Sequence, residues 1–174
     1  MKQKNLPRIS LRAMELEDID LIYDVENNRS EWDVGVTNVP YSRYLLQEFV
    51  TLSTGDIYSD KQVRLIIETI DRQAVGMADL TNFSPAHLRA EVGIYLQEAY
   101  RGMGYGVSAL MELSSYARQV LHLHQLYACI DKQNKKSVDT FLNAGYVASA
   151  ELKDWLYDGK KHRDALLMQL FLEF

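Results

Sequence analysis

The stretch Tyr-Arg-Gly-Met-Gly-Tyr-Gly-Val, residues 100–107, constrains this chain more than any other. Its three glycines alternate with larger residues, and glycine loses more backbone entropy on folding than any other residue. They therefore interrupt regular structure. Before them, Arg89–Leu96 reads as a strand; after them, Val107, Leu110, Met111, Ala117 and Leu121 recur at helical spacing. A strand thus passes into a helix through a glycine-rich turn. Three readings stay open. The turn can cradle a phosphate, with backbone N–H groups and the positive end of the helix converging on an anion and Arg101 adding a cation. In that reading a side chain at Gly104 would push its Cβ into the anion nest. It can be a dinucleotide fingerprint, but the third small position of G-x-G-x-x-G is occupied here by Val107. It can also be a plain tight connection. A P-loop is excluded, because no G-K-[ST] occurs.

Composition narrows the class. The 174 residues suit one domain, 1–174, and the 47% apolar content is enough to build a core. A formal net charge of -5 argues against a general nucleic-acid binder. The single cysteine, Cys129, allows no internal disulfide. The N-terminus lacks a signal-peptide apolar region, and no apolar run is long enough to span a bilayer. The expectation is a soluble cytoplasmic protein with no membrane partner.

The rest of the chain supplies the element order. Ile9–Arg12 reads as a strand, and Glu15, Glu17 and Asp18 open a helical pattern that carries Leu16, Ile19, Ile22 and Tyr23. Residues 26–38 are polar and read as loop. Tyr41–Leu52 has helical spacing. Val63–Ile70 and Ala74–Leu80 read as a hairpin across Asp71-Arg72-Gln73. Gln125–Ile130 is an apolar strand, and Ser137–Ala144 is a helix stopped by Gly145. Residues 146–155 and 163–171 flank the turn signal Asp158-Gly159. The order is β-α-α-β-β-β-α-β-α-β-β. It predicts an α/β (α+β) layer protein, with a mixed, mostly antiparallel sheet of six to seven strands and about four helices.

Several motifs together resemble a known family. Arg101-x-x-Gly104-x-Gly106, lying between a strand and a helix, matches the [QR]-x-x-G-x-[GA] pyrophosphate loop of the GNAT N-acetyltransferases. Asn134-Lys-Lys-Ser137 followed by Phe141-Leu-Asn-Ala-Gly145-Tyr146 resembles a second segment of that family. Ile9-Ser-Leu-Arg-Ala resembles its opening strand. Within the family, the stretch from Tyr23 to Asn28, the Pro40-Tyr41 helix entry and the final hairpin resemble the spermidine and ribosomal-protein acetyltransferase branch.

The resemblance implies acetyl-CoA as co-substrate, no metal, and a primary amine as acceptor, either a polyamine or a protein N-terminus. It places the CoA pyrophosphate on Arg101, Gly102, Met103, Gly104, Tyr105 and Gly106. It places pantetheine contacts at Ile94, Tyr95, Leu96, Asn134 and Ser137, beside a β-bulge near Ile94–Leu96 that splays two strands. A capping role for Asn134 is the alternative, and the two roles can coexist. Relatives also point to a homodimer or larger homo-oligomer. Because amines are mostly ammonium at neutral pH, a carboxylate must accept a proton, and Glu91 is the candidate general base. By strand alternation it projects with Gly93 and Tyr95. Its alternative is an exposed strand residue paired with an arginine. Asp79 is a second candidate, and Glu26, Glu31 and Asp33 are candidate substrate-binding acids.

One departure matters. The position where many family members carry a proton-donating tyrosine is Phe141 here. Ser137, Thr140 or Tyr146 would have to serve instead, or the thiolate leaves unprotonated. A CoA-binding or regulatory module of weak activity is therefore the alternative function. His122-Leu-His124 lacks further ligands at matching spacing, so metal binding is not expected. Trp155 and Tyr157 fit hairpin packing or an acceptor pocket.

Overall fold

A computed structural model of the chain describes residues 5–28 and 39–173. The first half of the sheet is an antiparallel meander. β2 (Val63–Thr69), β3 (Ala74–Ser84) and β4 (Arg89–Leu96) are joined in sequence, and β1 (Ile9–Ala13) flanks β2. The second half contains β5 (Gln125–Asp131), β7 (His162–Phe171) and β6 (Val147–Tyr157), so the seven strands run β1-β2-β3-β4-β5-β7-β6. Among the described residues, five α-helices complete the order: α1 (Ile19–Glu26), α2 (Arg43–Leu52), α3 (Ile57–Asp60), α4 (Tyr105–Gln119) and α5 (Lys135–Asn143).

The two halves meet in one short parallel ladder. β4 pairs with β5 only at Arg89↔Gln125, Ala90↔Leu126 and Glu91↔Tyr127. Beyond that point β4 stays on β3 as far as Leu96↔Gly76, and β5 stays on β7 as far as Asp131↔Ala165. The strands therefore diverge, and a gap opens between residues 92–96 and residues 128–131. No bulge interrupts the β3–β4 ladder between Glu91 and Leu96, contrary to the expectation near Ile94–Leu96. The opening comes from divergence of two halves, each held on its outer edge.

Each face of the sheet buries its own apolar set. Ala90, Val92, Leu126, Ala128 and Ile130 point toward α4 and α5, where Ala109, Leu110, Leu113 and Ala117 meet them. A fully buried leucine on α4 contributes about 2 kcal/mol of transfer free energy. The opposite face carries a smaller cluster of Ile19, Ile22, Leu46, Ile66 and Met77 beneath α1 and α2.

Four boundaries differ from the sequence reading, each for a local reason. α1 includes Glu26, where the polar composition had indicated loop. α3 has four residues, too few for periodicity, and rests on the Asp56 carboxylate accepting from the Tyr58 N–H at 3.1 Å. α5 starts at Lys135, earlier than Ser137, because Asn134 Oδ1 caps it by accepting from the Ser137 N–H at 3.1 Å. The Asp158-Gly159 turn is a four-residue loop. The Asp158 side chain closes it by accepting from the N–H groups of Lys160 and Lys161, each at 2.9 Å.

Candidate active site

The glycine turn follows the end of β4, the strand that forms one edge of the gap. Gly102 (φ 76°) and Gly104 (φ 95°) both occupy the left-handed region, so Gly102 contributes to the turn's shape even though the family pattern does not demand it. Gly104 is also the N-cap of α4 and offers no side chain. Ser42 and Asn134 cap α2 and α5 with their side chains. The leading N–H groups of α4 have no intrahelical acceptors, and the helix dipole adds positive potential there. That arrangement suits an anion.

The protein itself also demands glycine at 104. A Cβ there would lie 3.1 Å from Pro7 Cδ and 3.2 Å from Leu6 Cδ2, because the segment before β1 packs beneath the turn. The Ser108 hydroxyl fastens that segment by donating to the Pro7 carbonyl at 2.7 Å. Gly106 is required by a different neighbour. Its Cβ would stand 3.0 Å from Thr140 Cγ2, so glycine lets α4 and α5 approach closely.

Arg101 turns back on its own strand. Its Nε donates to the Leu96 carbonyl at 2.8 Å, and its guanidinium lies 5.3 Å from the Tyr95 ring. The side chain thereby ties the turn to the end of β4. Tyr105 stacks edge-on against Tyr100 at 5.5 Å, while Met103 is exposed. Ile94, Tyr95 and Leu96 are half-buried at the edge of the gap. Gly93 has only an ordinary neighbour, Asp79 Cβ at 3.6 Å from its virtual Cβ, so no close approach explains it.

The other face of the gap carries the ionisable groups. Glu91 is half-buried there, and its Oε2 accepts from Asn82 Nδ2 at 2.6 Å. Tyr127, its register partner on β5, and Cys129 share this face. Burial pushes both the Tyr127 phenol and the Cys129 thiol up, and the nearby Glu91 charge adds to each shift. The alternation with buried Leu126, Ala128 and Ile130 was the signal that could have placed these two side chains beside Glu91.

Asp79 and Glu26 are already engaged. Arg64 grips Asp79 through two bonds, Nε–Oδ1 at 2.9 Å and Nη2–Oδ2 at 2.7 Å, and its Nη1 also reaches Glu26. Both Asp79 oxygens thus accept from a cation. Sequence reasoning missed Arg64, because a lone arginine in a strand carries no marker of burial. Asn27 closes this side by exchanging two hydrogen bonds with the Tyr41 backbone, at 2.8 and 3.0 Å. Glu31 and Asp33 lie outside the described residues.

The alternatives for proton donation separate clearly. Phe141 is buried and packs edge-on against Tyr146 at 4.9 Å. Burial pushes the Tyr146 phenol up to about 12, and its hydroxyl has no hydrogen-bond partner; Ser114 is its polar neighbour without bonding geometry. Tyr146 is a core residue. The Thr140 hydroxyl donates to the Lys136 carbonyl at 2.8 Å. Trp155 and Tyr157 are exposed on the last hairpin, where Tyr157 stacks with His162 at 5.0 Å. Among the described residues, no helix is long and apolar enough to cross a membrane.

Known proteins share this architecture. The family model described as "Acetyltransferase (GNAT) domain" matches residues 8–147. The spermidine N(1)-acetyltransferase of Escherichia coli (strain K12) is 27% identical over 163 residues, 94% of this chain and 86% of that protein. A putative ribosomal N-acetyltransferase of Bacillus subtilis is 27% identical over 100 residues, covering 58% of this chain and 55% of its own length. The crystal structure of the Vibrio cholerae spermidine N-acetyltransferase in complex with CoA and spermine superposes with a TM-score of 0.81 at 23% identity, covering 94% of this chain and 95% of the other. The family match spans most of the sheet, the glycine turn and α5, so this chain belongs to the GNAT family and is an N-acetyltransferase that uses acetyl-CoA as co-substrate.

Proposed function

We propose that the chain acetylates a primary amine of a polyamine such as spermidine. One observation carries this reading. A gap between β4 and β5 joins an uncapped helix N-terminus on one side to a carboxylate-bearing face on the other. The CoA pyrophosphate rests on residues 101–106, with the pantetheine arm running along Ile94–Leu96 toward Asn134 and Ser137. The acceptor enters from the face beneath α1 and α2. Glu91 takes a proton from the ammonium, and the neutral amine attacks the thioester carbonyl. The carbon–sulfur bond then breaks, CoA leaves as thiolate, and the new amide nitrogen gives up its second proton to solvent. A thiol with a pKa of about 8.5 leaves without obligatory protonation, which accommodates Phe141. The acidic side chains around the gap favour a cationic acceptor over a neutral one.

The similar Vibrio cholerae enzyme has a dodecameric structure, and a homo-oligomer is the proposed state of this chain. Phe141 also supports a second reading, a CoA-binding module of weak activity. Thiol release from acetyl-CoA, measured with spermidine, spermine, aminoglycosides and ribosomal-protein N-terminal peptides, separates the two. Turnover with polyamines supports the proposal, and turnover only with peptides moves the acceptor to a protein N-terminus. CoA binding without turnover on any amine favours the module.

A further inference from the structure

Glu91 is held from a place the sequence did not point to. The β3–β4 ladder is regular up to Thr81↔Glu91 and resumes at Ser84↔Arg89. Two β3 residues, Asn82 and Phe83, therefore oppose the single β4 residue Ala90. This is a bulge with one extra residue on β3. The two bulge residues point to different environments. Phe83 is buried in the main core and packs edge-on against Tyr58 at 5.0 Å. Asn82 is exposed and takes a left-handed backbone, φ 47°. Asparagine tolerates that conformation better than most residues with a side chain. The anchored Phe83 and the left-handed turn at Asn82 together send its amide across to Glu91 Oε2 at 2.6 Å. An ionised carboxylate can only accept, so the amide must present its NH2 group there.

We infer that Asn82 is a positioning residue for the acetyl transfer. It fixes one oxygen of the Glu91 carboxylate and turns the other toward the acceptor amine. The inference rests on Glu91 as the base. Bulges recur next to active sites, where they re-aim a side chain. Here the bulge lies directly beside the last rung of the β4–β5 ladder, where the gap begins. The amide does not bind the donor or exchange protons; it selects the carboxylate rotamer. A carboxylate free to rotate spends less time within reach of the ammonium proton, and turnover falls while donor binding does not.

Steady-state kinetics of the full chain, with acetyl-CoA and spermidine as the probe amine, test this. Asn82→Gly keeps the left-handed backbone and removes only the amide. Asn82→Asp keeps the size and places a like charge against Glu91. In the Gly variant kcat falls about 5- to 10-fold, the size of one typical lost hydrogen bond, with the acetyl-CoA KM and Tm unchanged. In the Asp variant kcat falls further. Combined with Glu91→Gln, neither substitution lowers the residual rate any more. If Glu91→Gln alone leaves kcat intact, the base assignment itself fails. If Glu91→Gln lowers kcat but Asn82→Gly does not, the positioning role fails while the base stands. Equal losses in both backgrounds, or a loss that tracks Tm, also overturn it, because they assign Asn82 to the fold instead of to Glu91.

Discussion

The two faces of the gap are built by different forces. On the α4 and α5 side, position is set by close approach: Gly104 against Leu6 and Pro7, Gly106 against Thr140, and α4 against an apolar sheet. On the α1 and α2 side, the apolar cluster is small and charge does much of the fastening. Arg64 joins β2 to Asp79 on β3 and Glu26 on α1, and its guanidinium stands 5.9 Å from the Phe49 ring on α2. Arg12 likewise joins β1 to Glu68 on β2 and to Asp18 at the start of α1. Packed backbone gives the α4 and α5 side a fixed shape. Paired charges leave the α1 and α2 side sensitive to pH and to any change in their balance.

Four substitutions test that contrast. The largest effect belongs to the charge-fastened side. Arg64→Met leaves Glu26 and Asp79 facing each other without their cation. It should destabilise the fold by about 3 kcal/mol, the cost of breaking a largely buried pair. A thermal melt should show a fall of about 8 °C for a domain of this size. An unchanged melt would mean that α1 is held by its apolar contacts alone.

Gly104→Val attacks the packed side. It forces a branched residue into the left-handed region and against Pro7. Acetyl-CoA affinity should drop about 10-fold or more, from backbone strain of the order of 1–2 kcal/mol per residue. Titration calorimetry with CoA measures this directly. Equal affinity would remove residues 101–106 as the anion site.

The third test is pH. Burial works to raise the Asp18 pKa, but the Arg12 hydrogen bonds, with the Glu15 N–H adding to them, overcome it and leave it lowered. A carboxylate with a depressed folded pKa adds stability above its unfolded value of about 3.9, and that stability disappears as pH falls through the folded value. Denaturant midpoints should therefore decline below about pH 4 in the wild type and decline less in Asp18→Asn, which has no such charge to lose. Parallel curves for the two proteins would assign the acid sensitivity to other groups.

The smallest effect is expected at Tyr146→Phe. A buried hydroxyl without a partner contributes little, so stability should change by less than about 0.5 kcal/mol and kcat not at all. A large loss of kcat would return Tyr146 to the list of proton donors.

The glycine turn was the most legible feature, because left-handed backbone next to a helix start leaves few residue types to choose from. The element order was legible for a related reason: strand and helix periods write themselves into apolar spacing, as in β4 and α4. α3 was not legible, being shorter than two helical turns. The candidate site divided along the same line. Gly104, Gly106 and Glu91 were singled out from motif and alternation, whereas Arg64 and Asn82 were not, since their contacts are with partners 15 and 9 residues away.

Sequence alone determined that this chain forms a mixed sheet with a glycine turn feeding a helix, because local entropy and side-chain periodicity act over a few residues. Tertiary structure decided how the site is assembled. It ended the β4–β5 ladder at Glu91, gave Asp79 to Arg64, put Leu6 and Pro7 under the turn and aimed Asn82 at a carboxylate. Each of those depends on distances between segments that meet only once the core has closed, and no local pattern encodes them.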